Sequence, residues 1–185
     1  MIQGHLEKYL KPYNTEIQVG IDEVGRGCLF GPVYVGAVIW NNDIDHSNLK
    51  YIKDSKKLSK KKRNEMREFI EKNALAWYVA SCDNTTIDEI NILKATYKAM
   101  HKALKEMYNN NIKFDRILVD GNGFDPLIIN NQQIQHKCII SGDNKYIPIA
   151  AASILAKTHR DEYIENLCQE KSELKIYGLM TNYGY

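Results

Sequence analysis

The chain has 185 residues, of which 44% are hydrophobic and 26% are charged, and these proportions are typical of one soluble domain with a continuous core. Twenty-five basic side chains against 23 acidic ones leave a formal charge of +2, so no overall field identifies a polyanionic partner. No stretch approaches the roughly 18 apolar residues of a membrane span, and the first residues lack the apolar core of a signal peptide. We therefore expect a cytoplasmic protein without a membrane partner.

Alternating apolar residues predict five strands, over 16–22, 33–40, 74–82, 116–120 and 137–141. The first three suggest a meander. Because helical segments separate several of these strands, the order is an α/β pattern around one mixed sheet.

Capping residues and apolar spacing predict three helices. Ser59 can cap a helix over about 59–73, and a long helix is expected over about 148–171. A capping box at 86–89 is followed by apolar residues three and four positions apart, which predicts one continuous helix over 86–107.

Acidic residues stand at the ends of three predicted strands: Asp22 with Glu23, then Asp120, then Asp143. Acids at strand ends of one sheet can converge, and four carboxylates cannot stay close together and ionised without cations. Oxygen-only ligands select Mg²⁺ or Mn²⁺, and two such ions roughly 3.5–4 Å apart are suited to phosphodiester hydrolysis. Aspartate beside glycine is also common turn chemistry, and this alternative stays open for Asp120 and Asp143 taken singly.

Gly25, Arg26 and Gly27 follow the first acidic pair. Neighbouring side chains of a strand point to opposite faces, so Asp22 and Glu23 serve one site only if the chain bends, which the glycines permit. The spacing does not fit a dinucleotide loop, since a strand and not a helix comes next. Bare backbone around Arg26 can approach a sugar-phosphate and contact a ribose hydroxyl.

Basic residues concentrate over 50–63, where eight Lys or Arg stand against one acid. Such a segment is either a solvated surface or a phosphate-binding one. Ser153, Lys157 and Arg160 form a polar stripe on the last predicted helix. That stripe is either a solvent face or part of the same binding surface.

Five sequence blocks resemble the ribonuclease HII family, the type 2 ribonucleases H. In chain order they are GIDEVGRGCLFGPVYVGAVI, DSKKLSKKKR, IDEINILKATYKAMHKAL, VDGN and GDNKYIPIAAASILAKTHRDEY. Accidental agreement of five ordered blocks is far less plausible than that of one motif. The resemblance implies one catalytic domain over 1–185 with an RNase H-like fold, whose five-stranded mixed sheet is flanked by helices. It also implies cleavage of the RNA strand of RNA–DNA hybrids and nicking 5′ of single ribonucleotides in duplex DNA, which leaves 5′-phosphate and 3′-hydroxyl ends.

The same resemblance assigns site residues by position. The catalytic carboxylates, which would bind two Mg²⁺ or Mn²⁺ ions, are Asp22, Glu23, Asp120 and Asp143. The expected substrate-binding residues are Gly25, Arg26 and Gly27 at the 2′-hydroxyl, Lys56 at phosphate, Ser153 and Lys157 on the last helix, and Tyr185 stacked on the deoxyribose 3′ of the ribonucleotide.

Some features depart from the family pattern. Members usually continue past this Gly-Tyr with Thr, His and further helix, whereas Tyr185 is the last residue here, and Asn182 and Tyr183 replace the common His and basic residue. We expect a monomer with a truncated C-terminal part, and sliding-clamp contact through the absent tail. The alternatives are ribonuclease HIII, which has Glu at the fourth acidic position, and a module that binds hybrids without cutting them.

Overall fold

The computed structural model describes residues 6–44, 49, 52 and 58–184. The strands are β1 (Gln18–Val24), β2 (Val33–Ile39), β3 (Ala76–Cys82), β4 (Arg116–Asp120), β5 (Ile128–Ile129), β6 (Gln132–Gln133) and β7 (Gln135–Ile139). The expected five-stranded mixed sheet is confirmed, with the order β3-β2-β1-β4-β7. Within it β2 is antiparallel to β1 and β3, while β1, β4 and β7 run parallel. A separate small hairpin joins β5 to β6.

The helices are α1 (Lys60–Asn73), α2 (Asn84–Ile90), α3 (Ile92–Asn109), α4 (Ile147–Glu170) and α5 (Leu179–Asn182). Short 3₁₀ turns cover 142–144 and 172–177. The predicted cap of α1 is confirmed, because Ser59 Oγ accepts a hydrogen bond from the Lys62 N–H at 3.3 Å.

The single helix predicted over 86–107 is wrong, because the chain forms two helices there. Asp83 caps α2 by accepting from the Thr86 N–H at 2.8 Å. Asn91 then interrupts the helix, because its φ of 70° is not helical. Its side chain caps α3 by accepting a hydrogen bond from the Lys94 N–H at 3.1 Å. Apolar spacing continues across the break, so periodicity could not reveal it, whereas asparagine tolerates positive φ better than most residues.

Helices cover the sheet on both faces. The α3 face holds the larger core cluster, and α1 and α4 pack on the opposite face. Two glycines let α4 approach closely: a Cβ at Gly20 would lie 2.3 Å from the Pro148 carbonyl carbon, and one at Gly36 would lie 2.3 Å from the Ala152 oxygen. The backbone of α4 therefore rests directly on β1 and β2.

The four cysteines, Cys28, Cys82, Cys138 and Cys168, are free thiols. None of the helices in the described part of the chain combines the length and the apolar character needed to cross a membrane.

Candidate active site

Asp22 and Asp120 lie side by side on neighbouring parallel strands. Ile21 of β1 pairs with Val119 of β4, so the next residue on each strand is an aspartate. Ile21 and Val119 belong to the core under α3, and the alternation of a strand therefore turns both aspartates toward the α4 face. Asp22 is only 6% exposed, and it lies opposite Gly36 of β2.

The Ser153 side chain reaches Asp22 from α4. Ala152 rests on Gly36, which places the following residue over the aspartate, and the Ser153 hydroxyl donates a hydrogen bond to the Asp22 carboxylate. Burial raises the pKa of Asp22 well above its ordinary value, and the negative charges of Glu23 and Asp120 raise it further. The serine stabilises the charged form, but burial and like charges outweigh it.

Asp120 is bound to the turn that follows β7. Its Oδ1 accepts a hydrogen bond from the Gly142 N–H at 2.6 Å, and the Asp143 N–H donates to the same carboxylate. A Cβ at Gly142 would lie 2.6 Å from Ile149 Cδ1 and 3.3 Å from Asp120 Oδ1, so a larger residue in this turn would displace the Ile149 side chain. Burial raises the pKa of Asp120, while these backbone donors lower it. The main chain at Asp143 is thereby fixed beside the aspartate pair.

The expectation that the first strand ends at Asp22 is wrong by two residues. The strand stays paired with β2 as far as Val24, and the bend comes at Gly25, where φ is 103°. Alternation therefore leaves Glu23 on the face opposite Asp22, and its Oε1 accepts from Arg26 Nη1 at 3.1 Å. The Glu23 side chain nevertheless stays close to the aspartate pair, because its charge raises the pKa of both Asp22 and Asp120.

The carboxylates suit a hard divalent cation by their chemistry, since every side-chain donor is an oxygen and a cation would offset their repulsion. As the side chains stand, residues 6–44, 49, 52 and 58–184 contain no group of three or more His, Cys, Asp or Glu that could hold a metal ion. Glu23 is turned to Arg26, and Asp143 accepts from Asn144 Nδ2 at 2.8 Å. These two side chains would have to rotate, and the four-carboxylate metal site stays a prediction.

Arg160 is buried, so it belongs to neither of the two surfaces considered for the polar stripe. It is 0% exposed, although it shares one face of α4 with Ser153 and Lys157. Residues 25–32 and the segment around Tyr183 cover this face, and the guanidinium donates to main-chain carbonyls of both. Helical spacing identified the face, but only the tertiary contacts reveal what covers it.

Lys157 is engaged with protein groups. Its Nζ lies 2.8 Å from Asp161 Oδ1 and 5.0 Å from the centre of the Tyr183 ring. The side chain is 12% exposed. A role in substrate binding therefore requires that the ammonium be shared between Asp161 and a phosphate.

Two of the predicted substrate-binding residues, Lys56 and Tyr185, lie outside the described residues. Of the basic segment over 50–63, the structure describes residue 52 and residues 58–63. There Lys60 Nζ pairs with Glu165 Oε1 of α4 at 2.5 Å, which ties the start of α1 to α4. Phosphate binding by this segment stays a prediction.

Comparison with known proteins identifies the chain. The family model for ribonuclease HII matches residues 19–185. The curated ribonuclease HII of Cytophaga hutchinsonii is 46% identical over 170 residues, which are 92% of this chain and 78% of that protein. This match decides against the ribonuclease HIII alternative.

Solved structures agree with that match. The ribonuclease H2 from Pyrococcus horikoshii has a TM-score of 0.67 and 28% identity, and the match covers 85% of this chain and 78% of that one. The ribonuclease HII in the Archaeoglobus fulgidus complex with PCNA has a TM-score of 0.60 and 30% identity, covering 83% and 77%. The expected RNase H-like fold is confirmed. The chain therefore belongs to the ribonuclease HII family of metal-dependent endoribonucleases, which hydrolyse the RNA strand of RNA–DNA hybrids.

Proposed function

We propose that this enzyme also nicks duplex DNA on the 5′ side of single embedded ribonucleotides and leaves 5′-phosphate and 3′-hydroxyl ends. The main support is that β1 connects the two parts of the site. It holds buried Asp22 beside Asp120, and the chain then bends at Gly25 and continues into the loop with Arg26 and Gly27. One strand thus supplies a carboxylate for the reacting phosphate and a loop for the adjacent ribose. This closeness supports recognition of the sugar next to the bond that is cut.

In this proposal Asp22, Glu23, Asp120 and Asp143 hold two Mg²⁺ or Mn²⁺ ions. Ions bound by these oxygens would supply an acidified water for attack on phosphorus and would neutralise charge at the departing 3′-oxygen. Residues 1–185 act in it as one catalytic domain.

The protein orients two of the carboxylates before substrate arrives. Ser153 fixes the Asp22 carboxylate by donating to it, and the N–H groups of Gly142 and Asp143 do the same for Asp120. Each carboxylate keeps lone pairs for a cation, because an ionised carboxylate has about four acceptor positions. No serine, cysteine or histidine is needed as a nucleophile.

Substrate contacts are proposed for the surrounding loop and helix. Arg26, whose side chain is 48% exposed, contacts the phosphate or the ribose hydroxyl once Glu23 turns to a cation. The bare backbone of Gly25 and Gly27 lets the sugar approach. The set is completed by Lys56 and Lys157 at phosphates, Ser153 at the reacting site and Tyr185 at the neighbouring deoxyribose.

Replacement of Asp22 by asparagine tests this function directly. The charge is lost while the shape is kept, so nicking of a duplex with one ribonucleotide should fall at least about a thousandfold in Mg²⁺ or Mn²⁺. Exposed Asp125 is the matched control, and Asp125→Asn should nick like wild type. A gel assay that follows both binding and product also tests the binding-module alternative, since a pure binder would shift the duplex without cutting it. Near-wild-type nicking by Asp22→Asn would refute the assignment.

A second variant, Arg26→Ala, tests the loop. Measured in the Asp22→Asn background, it should lower the preference for a ribonucleotide duplex over its all-DNA counterpart. If Arg26 contacts phosphate, the slope of log affinity against log salt should also fall by about one. An unchanged preference would remove Arg26 from ribose recognition.

A sliding clamp is proposed as a protein partner. The support is the Archaeoglobus fulgidus ribonuclease HII, which is 30% identical to this chain and whose structure is a complex with PCNA. Because the contact is expected in a tail beyond Tyr185, size-exclusion chromatography compares the chain with and without a C-terminal extension, each mixed with the sliding clamp of Cytophaga hutchinsonii. Separate elution of the extended chain at micromolar concentration would count against the proposal.

A further inference from the structure

We propose that Arg160 is a positioning residue, whose buried guanidinium holds the loop that contains Gly25 and Arg26 against the segment formed by Tyr183 and Gly184. Its effect on the reaction passes through Arg26, which follows Gly25 directly. The proposal rests on the proposed role of this loop in ribose recognition.

The guanidinium joins two segments that are far apart in the chain. Its Nε donates to the Pro32 carbonyl at 3.0 Å and its Nη2 to the Phe30 carbonyl at 2.7 Å. Its Nη1 donates to the Tyr183 carbonyl at 2.7 Å. All three acceptors are main-chain oxygens, so the contacts fix backbone position and do not depend on the side chains of those residues.

Only arginine combines this reach with this geometry. Its planar group carries five N–H donors in fixed directions, whereas lysine offers one rotating ammonium. A buried charge is costly unless its hydrogen bonds are satisfied, and Arg160 is 0% exposed. The three main-chain carbonyls therefore stabilise the buried guanidinium, and the guanidinium in turn fixes the position of those carbonyls.

The loop packs its glycines onto this group. Gly25 has φ 103°, and a Cβ there would lie 2.8 Å from both Arg160 Nε and the Pro32 oxygen. Gly31 has φ 83°, and a Cβ there would lie 2.9 Å from Ile164 Cδ1, one turn along α4 from Arg160. The loop thus packs closely on the Arg160 and Ile164 side chains of α4.

The two held segments also contact each other. The Leu29 N–H donates to the Gly184 carbonyl at 2.8 Å, and a Cβ at Gly184 would lie 2.8 Å from the Phe30 oxygen. Arg160 therefore completes a closed set of backbone contacts among the loop, the Tyr183 segment and α4.

Arg160→Lys tests the proposal, with Arg116→Lys as the matched control. Arg116 is a part-buried arginine that pairs with Glu16 at 2.6 Å, at the end of β4 opposite Asp120. We expect Arg160→Lys to raise KM for a single-ribonucleotide duplex about tenfold while kcat stays within about threefold. In the Asp22→Asn background it should also reduce the ribonucleotide preference, and hydrogen exchange at the Leu29 amide should accelerate while β1 amides stay protected.

A purely structural role would not give this pattern. If Arg160→Lys lowers only the folded fraction, kcat per total enzyme falls and KM does not change, and the proposal is overturned. Wild-type KM, preference and Leu29 exchange would overturn it as well. Arg26→Ala distinguishes failure of the proposed ribose recognition from failure of the proposed positioning role. If Arg26→Ala retains the ribonucleotide preference, the loop does not recognise the ribose, and the positioning role of Arg160 is refuted with it. If Arg26→Ala loses the preference and Arg160→Lys keeps it, only the positioning role fails.

Gly31→Ala keeps the proposal testable if Arg160→Lys does not fold. It disturbs the same loop from the other side and leaves the charge in place. The same rise in KM and faster Leu29 exchange are expected, and a folded Gly31→Ala enzyme with wild-type values for both would contradict the proposal.

Discussion

Gly36 lies directly beneath Ala152, so that a Cβ at Gly36 would stand 2.3 Å from the Ala152 carbonyl oxygen. Gly36 is also the antiparallel partner of Asp22, and Ser153 is the next residue of α4. A single close approach of helix and sheet thereby places the serine hydroxyl on the buried carboxylate. Because Gly36 has no side chain, α4 lies close enough to β2 for the Ser153 side chain to reach Asp22.

Gly36→Ala should therefore damage both stability and catalysis. The new methyl group meets backbone, which cannot rotate away, so α4 must shift from the sheet. We expect the free energy of unfolding to fall by about 3 kcal/mol. Urea denaturation measures this loss, and nicking by the fraction that remains folded should fall because Ser153 moves away from Asp22.

Gly27→Ala is the control for stability. A Cβ at Gly27 would meet no atom within 4 Å, and the backbone of Gly27 does not have the positive φ that disfavours alanine. Its free energy of unfolding should stay within about 0.5 kcal/mol of wild type. Equal losses in the two variants would show that close packing on α4 is not the cause.

Ser153→Ala should weaken metal use without unfolding the protein. Removing the hydroxyl leaves Asp22 without one of the donors that stabilise its charged form, in a site where burial already disfavours that charge. The Mg²⁺ concentration for half-maximal nicking should rise about tenfold. Thr158→Val, which loses a hydroxyl that donates to the Ile154 carbonyl of its own helix, should leave this concentration unchanged. The same Mg²⁺ dependence in Ser153→Ala and wild type would exclude the orienting role.

His159 should make stability fall in mild acid. Burial lowers the pKa of His159 from the ordinary 6.5, and the Arg67 charge lowers it further, whereas the hydrogen bond to Glu71 and the charge of Glu162 raise it. Since the unfolded chain takes up the proton first as the pH falls below about 6.5, folding loses stability until the lowered pKa is passed. The slope for one proton cannot exceed about 1.4 kcal/mol per pH unit.

His159→Gln should flatten that dependence. Urea midpoints at pH 7, 6 and 5 should converge between the variant and wild type as the pH falls. Two curves that stay parallel over this range would rule out a contribution from His159.

Asn91 separates α2 from α3 by two properties, and substitution distinguishes them. Asn91→Ala loses the cap on the Lys94 N–H and keeps a Cβ at φ 70°, so it should cost about 1–2 kcal/mol of unfolding free energy. Asn91→Gly also loses the cap but relieves the backbone, and it should stay within about 0.5 kcal/mol of wild type. Guanidinium denaturation compares them. A glycine variant as unstable as the alanine variant would mean that the side-chain cap alone matters.

Local signals predicted most of the elements. The strand over 116–120 has the predicted bounds, and Ser59 caps α1 as expected, because apolar alternation and capping chemistry act within a few residues. The break at Asn91 was missed, since a capping residue within an apolar repeat leaves the repeat intact. The two extra residues of β1 were missed because neighbouring strands, and not the sequence of β1, supply its hydrogen-bond partners.

The sequence by itself determined the α/β pattern and the family, and it predicted which carboxylates form the site, because these inferences depend on residue types in a fixed order. Only the tertiary structure decided which groups meet. Parallel pairing of β1 with β4 brings Asp22 beside Asp120, and close packing on Gly36 brings Ser153 to Asp22. The same packing turns Arg160 inward, where helical spacing alone left its surroundings open. The reason is physical: strand register and helix–sheet distance are set by contacts between segments roughly a hundred residues apart in the chain, and no local pattern records them.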